Sequence, residues 1–193
     1  MIVVVGRPGL DAKDELDRPA GSIARAAAAA GGRVELVGSI GDDAAGDRVA
    51  LSLGKAGIGH AALLRDPAAV TPRASGPDGN LPRLDGQDVE LGLAYLADYA
   101  VLVLAEPLES TALEAVRRAA EFQRAALVIV VAAGGRAPGN LPASATVLET
   151  PAEDNGAFAQ LVGRYAVALD RGTAADAAWR EAIAAGGWES SSE

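Results

Sequence analysis

The chain has 193 residues, of which half are hydrophobic and 4% are aromatic, and its formal charge is −9. A core poor in aromatic residues must be built from Ala, Val, Leu and Ile, which suits a parallel α/β sheet buried on both faces. The acidic balance argues against nucleic-acid binding, which needs Lys and Arg opposite phosphates. The lack of cysteine excludes disulfides, thiol catalysis and cysteine-based zinc sites, and a single histidine excludes a histidine-rich metal site.

The first residues form a short apolar run followed by turn residues, MIVVVGRPG. We expect a buried strand here, because a signal peptide has a basic lead and a longer apolar segment. No stretch approaches 18 uninterrupted apolar residues, so the sequence predicts no membrane span. These features are typical of an acidic cytoplasmic protein.

Predicted strands and helices alternate along most of the chain. The predicted strands cover residues 2–5, 34–37, 61–64, 100–104, 127–131 and 146–148. The predicted helices cover residues 22–30, with Ser22 as N-cap, and residues 44–56, 88–96, 111–124, 153–169 and 174–184. This alternation predicts an α/β fold of three layers, α/β/α, around a mostly parallel sheet.

One predicted loop is much longer than the others. Residues 65–85 carry four prolines and two glycines, so we expect irregular structure there with at most one short strand. Because no linker or repeat divides the chain, the sequence predicts a single domain over residues 1–185, followed by a frayed tail over 186–193.

Carboxylates follow the first two predicted strands, at the sheet edge where ligands bind in parallel α/β proteins. Asp42 and Asp43 lie in the segment VELVGSIGDDAAG. Either one could cap the next helix and favour its dipole, or accept hydrogen bonds from a sugar or similar polyol. Asp11 is either a solvated turn residue or an acceptor for ligand hydroxyls. It is the strongest single candidate, because it is expected to face the crevice.

Four segments, in this order, resemble the ribokinase-like family, also called PfkB carbohydrate kinases. They are residues 6–11 (GRPGLD), 33–46 (RVELVGSIGDDAAG), 47–59 (DRVALSLGKAGIG) and 145–163 (ATVLETPAEDNGAFAQLVG). The second segment is the closest match, because the family has a strand followed by G-x-x-G-D-D-x-x-G. Thr71 falls where the family often has a threonine that opens a substrate-facing strand.

The resemblance implies a ribokinase-like fold and a site for a small polar molecule, a sugar or a nucleoside. It assigns substrate binding to Asp11, Ser22, Gly41, Asp42 and Asp43. It implies ATP and Mg²⁺ as cofactors only if the chain takes part in phosphate transfer. Glu153 and Asp154 are the metal candidates in that case.

The sequence departs from the family's pattern where the substrate is gripped and covered. The family's G-G-x-x-x-N segment corresponds to residues 17–22, DRPAGS, so the glycine pair is missing. Ser22 replaces an asparagine, which would offer both a donor and an acceptor. The family's lid corresponds to residues 12–18, which are too few to cover a sugar.

Departures also affect the handling of phosphate. The family's T-P-N-x-x-E element keeps Thr150 and Pro151 here, but Ala152 and Asn155 stand at its polar positions. The sequence contains no G-A-G-D segment, which in the family supplies an anion hole and the catalytic base, so we assign no catalytic residue. Phosphate transfer depends on positioned phosphates, metal and base together.

The resemblance and the departures together predict a homologue without the lid, the C-terminal nucleotide-binding part or kinase activity. Such a protein would bind a small sugar- or nucleoside-like ligand, or act as an interaction or regulatory protein. The alternative is an ATP-dependent sugar kinase that another subunit completes. We also expect a homodimer, since a missing lid exposes apolar surface.

Three further residues have predicted roles outside the substrate site. Glu106 and Glu109 are expected to cap or solvate the helix that follows them. Trp179 is expected to be a packing anchor, with a subunit contact as the other interpretation.

Overall fold

The computed structural model describes residues 1–74, 79–152 and 156–186. The strands are β1 (Ile2–Val5), β2 (Gly9–Leu10), β3 (Leu16–Asp17), β4 (Val34–Gly41), β5 (Gly59–Asp66), β6 (Val101–Leu104), β7 (Ala126–Val131) and β8 (Thr146–Glu149). Six of them form one sheet in the order β5-β4-β1-β6-β7-β8, and every pairing in it is parallel. The predicted parallel sheet is therefore confirmed.

Helices cover both faces of this sheet. They are α1 (Arg18–Ala29), α2 (Ala44–Lys55), α3 (Gly86–Ala94), α4 (Ser110–Gln123), α5 (Ala157–Asp170) and α6 (Ala175–Gly186). Helices α1, α2, α5 and α6 share one hydrophobic cluster with the sheet, and α3 and α4 share the other. The three-layer α/β/α architecture is thus confirmed. Within the described ranges, no helix combines the length and the apolar character that a bilayer crossing requires.

Alternate residues of the central strand point into the two clusters. Ile2 and Val4 pack among α1, α2 and α5, whereas Val3 and Val5 pack against α3 and α4. All four side chains are fully buried. This double burial explains why β1 is a continuous apolar run and does not alternate with polar residues.

Two element boundaries differ from the prediction in ways that matter for the site. Helix α1 begins at Arg18, four residues before Ser22, so the prediction of Ser22 as N-cap is wrong. Pro19 lies in the first turn, where its missing N–H costs no hydrogen bond, and it allows this early start. Strand β4 runs on to Gly41, so the connection to α2 is reduced to Asp42 and Asp43.

The short hairpin of β2 and β3 was not predicted. Its strands pair antiparallel, Gly9 opposite Asp17 and Leu10 opposite Leu16. Leu10 also forms a parallel bridge with Arg73, which is the short strand-like contact expected within residues 65–85. The hairpin runs over residues 9–17 and so overlaps residues 12–18, the segment that the resemblance aligns with the family's lid, and each of its strands has two residues.

Two predicted segments lie partly outside the described residues. The predicted start of the fifth helix at residue 153 falls there, and the described part of this helix begins at Ala157. The predicted tail over 186–193 also falls there, except for Gly186, which ends α6.

Helix α6 is held to α5 by aromatic contact. The Trp179 and Tyr165 rings meet edge to face, with centroids 5.5 Å apart. The Tyr165 hydroxyl lies 2.9 Å from the Thr146 hydroxyl at the start of β8. The interpretation of Trp179 as a packing anchor is confirmed, because it packs partly buried against the main core cluster.

Helices α1 and α5 approach each other closely at Gly163. A Cβ atom added to Gly163 would lie 2.7 Å from the Ala27 nitrogen and 2.8 Å from the Ala26 Cβ. These distances are too short for van der Waals contact with rigid helix backbone. The glycine therefore sets the spacing between the two helices.

We expect Gly163→Ala to lower the free energy of unfolding by about 1–3 kcal/mol, since the added methyl overpacks the α1–α5 contact. The control is Gly54→Ala in α2, where an added Cβ meets its nearest neighbour, His60, at 3.7 Å. That substitution should stabilise by up to about 1 kcal/mol through helix propensity alone. Urea unfolding of both variants measures this, and equal effects would contradict the role of Gly163.

Candidate active-site crevice

The order in which the chain adds strands to the sheet changes direction at β1. From β1 the chain builds outward through β4 and β5 on one side, and through β6, β7 and β8 on the other. The connections that leave β1 and β6 therefore run to opposite sides. In open α/β sheets such a reversal marks the crevice in which ligands bind, so the carboxyl ends of β1 and β6 define the candidate crevice. The residues at this point are Gly6 and Arg7 after β1, and Ala105 and Glu106 after β6.

An ion pair bridges this crevice. The Arg7 backbone N–H donates a hydrogen bond to Glu106 Oε1 at 2.6 Å, and Arg7 Nε donates to the same oxygen at 2.9 Å. The two side chains are 19% and 20% exposed, so the pair is screened from water but not sealed from it. Glu106 thus turns toward β1 and does not serve α4, contrary to prediction.

Gly6 makes room for this pair. An added Cβ would lie 2.9 Å from the Ala20 Cβ in α1 and 3.4 Å from Glu106 Oε1. Gly6 also has a φ of +155°, at the margin of the positive region that side chains rarely adopt. The close approach of α1 and Glu106 therefore requires a glycine between them.

Both carboxylate oxygens of Asp43 make structural hydrogen bonds. Oδ1 accepts hydrogen bonds from the Gly46 N–H at 2.7 Å and the Thr71 hydroxyl at 2.8 Å. Oδ2 accepts one from the Thr71 N–H at 2.9 Å. The Thr71 hydroxyl in turn accepts from the Gly41 N–H at 2.9 Å. Asp43 therefore caps α2, as one interpretation of the sequence predicted, and also fastens the long loop to the end of β4.

The charge state of Asp43 follows from the same contacts. Burial raises the pKa of Asp43, but hydrogen bonds from the Thr71 N–H, the Gly46 N–H and the Thr71 hydroxyl outweigh it. The pKa of this carboxyl is therefore held below its ordinary value, and the group is ionised at neutral pH. Thr71 is 2% exposed, so its hydroxyl depends on these partners.

The glycines of the G-D-D-x-x-G segment are required by close packing. An added Cβ at Gly41 would lie 2.7 Å from the Thr71 nitrogen, and one at Gly46 would overlap the Gly41 carbonyl oxygen. The spacing of this motif therefore serves the junction of β4, α2 and the long loop. It does not need a ligand to explain it.

Asp42 points to the surface and has weaker partners. Its Oδ1 lies 3.4 Å from Arg65 Nη1, and Arg65 also pairs with Asp47 at 2.7 Å. Exposed ion pairs of this kind contribute little to stability. Asp42 is thus free to exchange its partner, and its assignment to substrate stays a prediction.

Asp11 stabilises the turn of the β2–β3 hairpin. Its Oδ1 accepts hydrogen bonds from the Glu15 N–H at 2.9 Å and the Lys13 N–H at 2.7 Å. The bond from Glu15 is the main reason why the pKa of Asp11 is lowered. This geometry matches the turn-residue interpretation, and a role for Asp11 toward a ligand stays a prediction.

Ser22 lies apart from the other predicted substrate residues. It is half-buried in α1 and lines a cleft of about 690 Å³ between α1 and α5. Asp17, Arg25, Gln160 and Arg164 line the same cleft. The other four predicted substrate residues do not line this cleft.

Among the described residues, no group of three or more His, Asp or Glu side chains is placed to hold a metal ion. Glu153 and Asp154, the metal candidates of the sequence, lie outside the described residues. We therefore derive no chemical step through Mg²⁺ or ATP.

No protein-family model and no curated protein matches the chain. Solved structures do match. An E. coli protein described as a ribokinase II, in complex with ATP and Mg²⁺, has a TM-score of 0.70 at 11% identity, over 96% of this chain and 91% of that chain. An Arabidopsis thaliana ribokinase complexed with ribose and ATP has a TM-score of 0.67 at 15% identity, over 96% and 90%. A Xylella fastidiosa fructokinase has a TM-score of 0.54 at 16% identity, over 95% and 69%.

The protein has a ribokinase-like fold. At these identities the similarity establishes the fold, which is the one that the four sequence segments implied. The chain that forms this fold has 193 residues.

Sequence reasoning missed the Arg7–Glu106 pair. The two residues are 99 positions apart, and nothing local to either one indicates the other. A usable signal did exist, because each is the second residue after a fully apolar predicted strand. Pairing β1 with β6 would have brought them together, but strand order was not predictable from the sequence pattern.

The two adjacent aspartates offer a matched test of the site's architecture. We expect Asp43→Ala to lower the free energy of unfolding by about 1–3 kcal/mol, because α2 loses its cap and the buried Thr71 hydroxyl loses its acceptor. Asp42→Ala should change it by less than about 0.5 kcal/mol. Urea unfolding at neutral pH measures both, and a comparable loss in Asp42→Ala would contradict this assignment.

The lowered pKa of Asp43 also predicts a pH dependence. Because the folded pKa lies below the unfolded one, the carboxylate's contribution is complete above the unfolded pKa and is lost as pH falls through the folded pKa. The stability difference between the wild type and Asp43→Asn should therefore be constant near neutrality and shrink in acid. Urea unfolding at a series of pH values measures this difference. The other aspartates with lowered pKa contribute equally to the stability of both proteins, so their contributions cancel.

Proposed function

We propose that this chain binds a small polyhydroxylated molecule, of the sugar or nucleoside class, in the crevice between β1 and β6, and does not itself transfer phosphate. The observation that carries the proposal is the part-buried Arg7–Glu106 pair at the point where the sheet reverses direction. This is the position at which α/β proteins of open sheet type bind their ligands.

The chemistry of the pair favours a neutral polyol. Glu106 is an acceptor for hydroxyl protons, and Arg7 carries guanidinium donors for hydroxyl oxygens. A polyol hydroxyl donates and accepts at once, so adjacent hydroxyls can satisfy both members of the pair. A simple anion would gain from Arg7 but would be repelled by Glu106, which lies 2.9 Å from the Arg7 Nε.

Two features argue against phosphate transfer by this chain alone. The carboxylate of Asp43 is committed through both oxygens to α2 and Thr71, which leaves it poorly placed to activate a hydroxyl. The sequence also contains no G-A-G-D segment to supply an anion hole and a base. Removal of a single donor from an anion hole typically costs about 10²–10³ in rate.

The alternative is an ATP-dependent sugar kinase that another subunit completes. It is favoured by the structural neighbours that contain ATP, from E. coli and from Arabidopsis thaliana. In that case the crevice would present the acceptor sugar, and the partner would supply the nucleotide site. A regulatory role would use the same crevice to sense a ligand.

We expect D-ribose, D-fructose or adenosine to raise the melting temperature of the wild-type chain, with no further rise and no ADP release when ATP and Mg²⁺ are added. Preferential binding to the folded state causes such a rise. Thermal shift and a coupled ADP assay measure these two outcomes. Sugar-dependent ADP release by the chain alone would contradict the proposal, and so would the absence of any shift with all three compounds.

The binding residues have a matched control. Glu106→Gln should weaken binding of the stabilising compound about tenfold to a hundredfold, because it removes a charged hydrogen-bond acceptor. Glu109→Gln, three residues further on and exposed, should leave the affinity unchanged. Calorimetric titration measures both, and equal affinities in the two variants would place the ligand elsewhere.

A further inference from the structure

Helices α3 and α4 expose large apolar side chains that the crevice does not use. Phe122 on α4 is 86% exposed, Leu91 on α3 is 52% exposed, and Tyr95, directly after α3, is 73% exposed. The whole chain has two Phe and three Tyr, so two of these five residues stand open on one layer of the structure. Aromatic residues in such positions are enriched at protein–protein interfaces.

A groove lies beside Phe122, between α3 and α4. Its volume is about 290 Å³, and Phe122 forms part of its wall. The apolar residues that line it further are Leu93, Ala94, Leu96, Tyr99, Ala115 and Ala119. A projecting aromatic ring therefore stands next to an apolar groove on one surface, which we name the α3/α4 face.

The charges on this face indicate which partner fits. Glu90 and Arg118 line the groove, with opposite signs, and lie 3.5 Å apart. Further along α4, Arg117 pairs with Glu114 at 2.7 Å and with Glu121 at 3.3 Å. The groove lining is thus electrically neutral, in a chain whose formal charge is −9.

A uniformly acidic or basic partner would match one of these charges and oppose the other. A second copy of the chain presents the same alternation, so a two-fold rotation can bring each Glu90 toward an Arg118. The same rotation can bring each Phe122 toward the other copy's groove. Contact through a groove whose lining is neutral also places no net charge of either copy at that contact.

We propose that the α3/α4 face binds a second copy of this chain in a symmetric contact, with Phe122 of each copy seated in the groove of the other. A ring beside a groove on one surface is what a self-complementary interface requires. This contact leaves the crevice between β1 and β6 uncovered, because that crevice lies at the carboxyl ends of the strands. The proposal therefore does not depend on the proposed function.

Sedimentation equilibrium over a range of concentrations tests the proposal. The wild type should dimerise, and Phe122→Glu should raise the dimer dissociation constant about tenfold or more. The control is Leu51→Glu, since Leu51 is 58% exposed on α2, on the opposite side of the sheet, and its dissociation constant should stay unchanged. A wild type that remains monomeric, or equal weakening by both substitutions, would overturn the proposal.

Charge reversal tests whether the partner is a second copy bound through this face. Glu90→Arg alone and Arg118→Glu alone should each weaken dimerisation, because like charges then meet across the two-fold axis. An equal mixture of the two variants should dimerise more strongly than either variant by itself. Unchanged near-ultraviolet circular dichroism confirms that each is folded, and a mixture that gains nothing would overturn the proposed pairing.

Discussion

The enclosure of β1 is the constraint from which the rest of the structure follows. This strand pairs with β4 on one side and β6 on the other, and all of its side chains are buried. Because both neighbours are parallel to it, each connection must cross a face of the sheet, and helices cover both faces as a result. The two halves of the sheet then grow away from β1, and the crevice at its carboxyl end is a geometric consequence.

The carboxylates near that edge of the sheet divide into two kinds. Asp43 and Asp11 hold backbone in place, since their oxygens accept N–H groups of a helix terminus or a hairpin turn. Glu106 also accepts a backbone N–H, that of Arg7, but it pairs with the Arg7 guanidinium as well, and this ion pair is the feature on which the proposed ligand site rests. A G-D-D segment can therefore resemble that of a kinase family closely and still be explained by packing.

The proposed ligand site and the proposed contact between copies depend on different kinds of interaction. The crevice offers a polar pair that is partly screened from water, which suits a small molecule with many hydroxyls. The α3/α4 face offers an exposed ring, an apolar groove and balanced charges, which suits a protein surface like itself. Since they lie on different parts of the sheet, ligand binding and self-association can be tested one at a time.

What the sequence by itself determined is local in origin. Mostly apolar runs of three to five residues predicted the strands, glycines and prolines predicted their ends, and the alternation of elements predicted the three layers. The capping role of Asp43 was also predictable, because a helix begins at the next residue. The identity of its other partner, Thr71, was not, since the two residues are 28 positions apart and both α2 and β5 lie between them.

Tertiary structure alone decided the contacts made across the sheet. Arg7 and Glu106 meet because β1 and β6 are neighbours, and strand order depends on the packing of all the helices at once. Because α1 starts early, Ser22 lies inside the helix and lines a cleft with α5, and it is not an N-cap. Because β2 and β3 form a hairpin, the Asp11 carboxylate accepts hydrogen bonds within the hairpin turn. Periodic patterns report which face of an element is buried. They carry no information about which elements become neighbours, and that is where the crevice is formed.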